Sequence, residues 1–211
     1  MTEEPLRETK EPSAEIGPRP FGEIPPLWFK VFQMHEDFLA SELPRASGTN
    51  VLLSVLIMAV VASLAGAVGA LLQDAVAPLA GLCGGLLGGF ISFYLSAGII
   101  YVGARIFGGQ GTFGGQAYLQ SLFFVPLGIV QWIVTMIPVV GPVLSVVVSV
   151  YNLVLSVRAI KVSHKLPTGK AVGAILVPLV LVFALATCVI AILLLLGPAV
   201  GGVFEEITNS I

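Results

Sequence analysis

Four long stretches of the chain contain no Asp, Glu, Lys or Arg: residues 46–73, 75–104, 106–157 and 171–204. A charge-free, mainly apolar run of about 18 residues or more reads as a helix that crosses a bilayer. The pattern predicts five such spans. The first covers 51–73 and ends at Asp74. At roughly 1.5 Å per residue it reaches about 35 Å, enough for a hydrocarbon core of about 30 Å. The run 75–104 is too long for one upright helix and too short for two. It is assigned a loop or interfacial turn at 75–82, holding Pro78, and a second span at 83–104. The Gly-rich segment 106–115 reads as a loop, and 117–137 as the third span. Pro138, Gly141 and Pro142 are breakers that mark a tight turn at 137–142 before a fourth span at 142–158. A basic loop at 158–170 leads to a fifth span at 171–196, in which Pro178 is a candidate kink and which Gly197 and Pro198 end. A short tail, 197–211, follows.

The segments before the first span differ from each other. Residues 1–26 hold six prolines and many acids. They offer too little apolar surface to offset the entropy of ordering and read as a disordered tail. In 27–43, Leu27, Val31, Met34 and Phe38 recur at helical spacing, flanked by Trp28, Phe32 and Leu39. Lys30, Glu36, Asp37 and Glu42 lie mostly elsewhere around the wheel. This segment is too short and too charged to span, and reads as an amphipathic helix lying in the membrane interface. The expected fold is thus an all-α membrane protein: a five-span helix bundle with an N-terminal interfacial amphipathic helix.

Composition excludes a water-soluble fold. Of 211 residues, 56% are hydrophobic and only 10% charged, against roughly 25% charged in soluble domains. The net charge of −2 says little about partners, and nothing points to nucleic acid. The placement of charge says more. With the N-terminus in the cytoplasm and five spans alternating, all ten Lys and Arg residues fall on the cytoplasmic side. Only Asp74, Glu205 and Glu206 fall outside. Basic residues near span ends set orientation, and a four- or six-span count would strand some of them outside.

Candidate chemistry is sparse. Charges within spans are the usual mark of proton relays and coupled transport, and here Asp74 and Arg105 sit only at span ends. His35 and His164 lie outside the predicted spans, and neither has a second ligand at metal spacing. No nucleophile is paired with a base. Catalytic residues, cofactor and metal are all expected to be none. The loop at 108–116 follows a membrane helix and lacks the Lys-Ser/Thr of a phosphate loop, so it reads as a turn needing a permissive backbone. Cys83 and Cys188 read as small buried hydrophobes.

Two patterns stand out. Gly81, Gly85 and Gly89 recur every four residues, a spacing that lets helices approach closely, within the bundle or between copies of the chain. Ala62, Gly66 and Ala70 share that spacing on the first span and are the natural partner. The second pattern is a pair of polar stripes. Ser145, Ser149, Asn152 and Ser156 line one face of the fourth span, and Gln120, Gln131 and Thr135 lie near one face of the third. They read as interhelical hydrogen-bond glue, at about 0.6 kcal/mol per contact, or as the lining of a polar cavity.

The chain also resembles the Yip-one (Ypt-interacting protein) domain family over about residues 25–196. PPLWFKVF at 25–32 resembles that family's Pro-aromatic entry helix. ARIFGGQGTFGGQAYLQSLFFVP at 104–126 resembles its Gly-rich loop into the third span. IPVVGP at 137–142 and LVLSVRAIKVSHKLPTGKAVGAILVP at 153–178 resemble its turn and its basic, His-containing passage into the last span. The resemblance implies a five-span bundle with a cytoplasmic N-terminus. Eukaryotic relatives act in Golgi and endoplasmic-reticulum traffic and associate with Ypt/Rab GTPases. This sequence lacks their Asp-Leu-Tyr-Gly-Pro type motif and is more similar to prokaryotic members, so no binding residue carries over. The expected function is a non-enzymatic membrane-organising or trafficking-related scaffold, with a small passive transporter or channel as the alternative. Expected partners are the lipid bilayer, proteins at the cytoplasmic face and further copies of the chain. The expected location is a prokaryotic inner membrane, with the C-terminus external, or else a Golgi or endoplasmic-reticulum membrane.

Overall fold

The computed structural model describes residues 17–72, 78–135, 137 and 139–209. Every regular element among them is helical. Two short helices, α1 (Ile24–Trp28) and α2 (Glu36–Glu42), precede five long ones. These are α3 (Gly48–Leu72), α4 (Pro78–Ile106), α5 (Phe113–Thr135), α6 (Val140–His164) and α7 (Thr168–Asn209). All five are long and apolar enough to cross a membrane. Helices are the expected solution, because hydrocarbon offers no partner for a backbone N–H or C=O. The chain is an all-α membrane protein with five spans.

The helix limits differ from the sequence reading for identifiable reasons. α4 begins at Pro78, so 78–82 is helical rather than loop. Proline suits the first helical position, where no backbone donor is needed. Residues 75–77, Asp74 and Pro138 lie outside the described residues. α5 begins at Phe113 because Thr112 caps it, accepting the Gly115 N–H at 3.2 Å. α6 continues to His164, through the stretch expected to be loop, because its basic residues find partners on the N-terminal segment. α7 continues past Gly197-Pro198 to Asn209. A proline there forfeits one backbone bond, to the Leu194 carbonyl. The expected disorder of 1–16 falls outside the described residues. Residues 21–26, in contrast, form a 3₁₀ turn and the start of α1, anchored by Ile24, which is 1% exposed.

α5 is the central helix, with most of its first four turns buried. α3 packs on α4 and α5, α6 on α5, and α7 on α4 and α6. Phe93 of α4 meets Phe124 of α5 edge to face at 5.3 Å. Leucines, valines and isoleucines face outward on every long helix, as lipid contact requires. Cys83 and Cys188 also lie on this outer surface, not in the buried interior.

The most extensive helix contact joins α3 to α4, and the predicted glycines line it. A Cβ on Gly81 would come within 2.6 Å of the Gly66 carbonyl oxygen, and one on Gly85 would overlap the Ser63 backbone. Gly89 faces Ala59 and Ala62. Lipid tails are as apolar as the side chains, so such helices associate through close packing, not hydrophobic burial. Ser63 of α3 adds a hydroxyl bond to the Leu82 carbonyl at 2.5 Å. Gly84, on the open face of α4, meets nothing within 4 Å. Gly85→Val is therefore expected to cost on the order of 1–3 kcal/mol and to lower the unfolding temperature in detergent. Gly84→Val is expected to leave it unchanged.

Candidate functional site

The chain ends of the helices gather polar groups at one end of the bundle, where Arg105, Arg158, Lys161, Lys165 and Lys170 also lie. Here residues 21–45 pack as a strap of short turns against α5 and α6. Amphipathic character is present as expected, but not as one continuous helix. Breaks at Phe29–Lys30 and Met34–His35 divide it. Leu27, Met34 and Leu39 turn into the same core as Tyr118, Leu122 and Leu155. Phe29 points the other way, 89% exposed, and Phe32 is 73% exposed at the rim, one face of its ring stacked on Tyr151 of α6 at 5.6 Å.

A buried ion pair ties the strap down. Glu42 is 3% exposed. Its carboxylate accepts two bonds from the Arg19 guanidinium, at 2.5 and 3.0 Å, and one from the Tyr118 hydroxyl of α5 at 3.2 Å. The Asn50 amide of α3 donates to the Arg19 carbonyl at 2.6 Å. The bonds to Glu42 raise the Arg19 pKa further above its usual range. Farther along, the Arg158 guanidinium donates to the Met34 carbonyl at 3.1 Å, and Lys161 pairs with Glu36 at 2.6 Å.

A second polar cluster joins three spans. The Gly111 N–H donates to His164 Nδ1 at 3.2 Å, and His164 Nε2 lies 2.8 Å from Gln116 Oε1. These partners assign the neutral tautomer with its proton on Nε2. Gln116 in turn donates to the Ala97 carbonyl of α4 at 2.9 Å and to Gln120 Oε1 at 3.1 Å. His164 and Gln116 are essentially inaccessible. The Gly-rich loop exists to admit this ring. Gly108 has φ +87°, a Cβ on Gly109 would lie 2.6 Å from His164 Nδ1, and one on Gly111 would overlap the Ser163 carbonyl. Between strap and loop lies an open polar cleft of about 430 Å³, lined by Ser47, Gly48, Gln110, Thr112 and Ser163 among others.

The structure separates the predicted polar stripe into parts. Gln120 belongs to the buried histidine cluster. Gln131, Ser149 and Asn152 share a cleft of about 290 Å³ between α5 and α6, with Met58 of α3 on its wall. The Ser156 hydroxyl contacts Asn152 Oδ1 at 3.4 Å. The Thr135 hydroxyl donates to the Trp132 carbonyl of its own helix. The Ser145 hydroxyl is buried without a partner among the described residues. Gly81, Gly85 and Gly89 lie in the α3–α4 contact already described.

Sequence reasoning missed Gln116, His164, Glu42 and Tyr118. A signal for Gln116 was available: it precedes Gln120 by four residues, one helical turn. Glu42 and His164 looked solvated because their neighbours are charged. Among the described residues no group of three or more His, Cys, Asp or Glu could hold a metal. Both nitrogens of His164 are committed to fixed partners, so the ring is built as a joint.

Two substitutions test these clusters. Breaking a buried pair by removing one partner costs about 3–5 kcal/mol, so Glu42→Ala is expected to loosen the strap and speed tryptic cleavage after Lys30. His164→Phe leaves the Gly111 N–H and the Gln116 carbonyl unpaired, at roughly 1–3 kcal/mol each. It is expected to lower the unfolding temperature in detergent, and Gln116→Leu should cost less in the His164→Phe background than alone, because the shared bond is already gone while those to Ala97 and Gln120 are still lost.

No curated protein and no solved structure matches the chain significantly. The family model described as the Yip1 domain matches residues 37–199. That stretch holds all five spans, the Gly-rich loop and both partners of the His164–Gln116 bond. This chain belongs to the Yip1 domain family.

Proposed function

We propose that this Yip1-family membrane protein is a non-enzymatic scaffold that organises the bilayer or recruits proteins from its basic end. The observation that carries the reading is the docked strap. Its inner face is part of the bundle core, while Phe29 and the open face of Phe32, whose other face stacks on Tyr151, are presented outward beside Lys30. Exposed aromatics next to a cation are the groups that bind at headgroup depth or against a partner's apolar patch. The basic residues at span ends favour a cytoplasmic location for this end, with the C-terminus external. A prokaryotic inner membrane fits the sequence best, a Golgi or endoplasmic-reticulum membrane being the other candidate. Self-association would use helix faces other than the α3–α4 contact, which already occupies Gly81, Gly85 and Gly89.

Reconstitution into liposomes tests this reading. The wild type is expected to deform vesicles or to bind soluble partners at this end. Phe29→Ser with Phe32→Ser is expected to abolish the effect, with only the small fall in unfolding temperature that loss of the Phe32–Tyr151 stack brings. Equal activity of the double variant would count decisively against the strap.

A second reading, passive transport, draws on the cleft shared by Gln131, Ser149 and Asn152. Flux of small neutral solutes into proteoliposomes, lost in Ser149→Leu and Asn152→Leu, would support it. Flux no greater than in empty vesicles across a broad panel would rule it out.

A further inference from the structure

α4 and α7 approach each other closely near Gly103 and Phe107. A Cβ on Gly103 would overlap the Ala174 carbonyl oxygen and press on Pro178, and one on Gly173 would meet the Phe107 ring at 2.9 Å. Beside this contact lies an apolar groove of about 480 Å³. Leu95, Gly98 and Val102 form one wall, and Val177, Leu181 and Val182 the other. Leu95, Val102 and Leu181 are each more than half exposed, so the groove opens sideways to lipid.

Two cations follow the groove-bearing faces toward the basic end of the bundle. On α4, residues 95, 98, 102 and 105 recur at spacings of three, four and three, which puts Arg105 on the groove-bearing face. On α7, residues 170, 174, 177 and 181 recur at spacings of four, three and four, which does the same for Lys170. The pairing of Gly103 with Ala174 and of Phe107 with Gly173 sets the Arg105 and Lys170 backbones at the basic end of the groove, outside its lining, which stops at Phe107 just past α4 and at Val177 on α7. Arg105 and Lys170 are exposed. One of the five guanidinium donors of Arg105 goes to the Gly109 carbonyl at 3.1 Å. α4 contains no acidic residue, and neither does α7 up to Gly197.

We propose that the α4–α7 groove is a binding site for an anionic phospholipid, one acyl chain lying in the groove and the phosphate between Arg105 and Lys170. An apolar trough with two cations at its interfacial end matches the division of such a lipid into tail and head. A zwitterionic lipid fits less well, because its ammonium would approach the same two cations. A helix of a second copy fits less well again. It would cover Arg105 and Lys170 with spans that carry no acid to pair them. A cation left unpaired at membrane depth is costly.

The test is native mass spectrometry of the full chain in detergent, titrated with dioleoylphosphatidylglycerol or dioleoylphosphatidylcholine. Two cations, each contributing on the order of a factor of five, give about a twenty-five-fold preference for phosphatidylglycerol. Arg105→Gln with Lys170→Gln should remove that preference. Gly98→Leu, which fills open space in the groove, should weaken both lipids. A separate measurement needs no variant: phosphatidylglycerol with a diazirine on one acyl chain should label peptides containing residues 95–106 and 177–182. Equal affinity for the two lipids, an unchanged preference in the double variant, or labelling confined to other helices would overturn the site. So would a dimer that forms without lipid and dissociates in Gly98→Leu.

Discussion

The Glu42 carboxylate decides what kind of object the N-terminal segment is. A charged acid in a strap of short turns would ordinarily keep that strap in water. Here it is enclosed by Arg19, the Tyr118 hydroxyl and the core under Leu39. A buried pair of this kind adds little net stability over an apolar one, but an unpartnered charge in its place is costly. The pair therefore acts on register. The seating of residues 19–45 on α5 that satisfies Glu42 also delivers Met34 to Arg158 and Glu36 to Lys161. The outward presentation of Phe29 and Phe32 follows from it.

Inside the hydrocarbon a different constraint rules. Helices there gain nothing from hiding apolar surface, so contact depends on close approach and on polar groups with few alternatives. α3 and α4 meet through Gly66, Gly81 and Gly85, where no Cβ fits. α4, α5 and α6 are joined by the chain of bonds from Ala97 through Gln116 to His164. α7 has less of either. It holds α4 near Gly103 and is then surrounded by open space, its segment 179–197 exposed throughout. The groove beside that contact is the consequence.

The spans were legible because charge is excluded from them, and five was the count that kept every cation on one side. The glycine stripe and its partners Ala62 and Gly66 were legible for a similar reason: small residues at a four-residue period have few other uses. The strap and the histidine cluster were not. Reading 27–43 as one helix followed its apolar spacing, yet local spacing cannot show that α5 and α6 supply a closer surface than lipid does. The polar stripes suffered likewise. Gln120 and Gln131 share a helix face in projection, but they lie three turns apart, so one meets Gln116 and the other meets Asn152's cleft. Long-range partners such as Arg19 with Glu42, or Gly111 with His164, leave no trace in periodicity.

The central claim is that the strap is a fixed part of the bundle and not a helix floating on the membrane. Spin labels at Ser41 and Lys165, both exposed, measure this directly in lipid nanodiscs by pulsed electron resonance. A docked strap gives one narrow distance distribution that broadens when Glu42 is replaced by Ala. A broad distribution in the otherwise unchanged protein, indifferent to that replacement, would contradict the account.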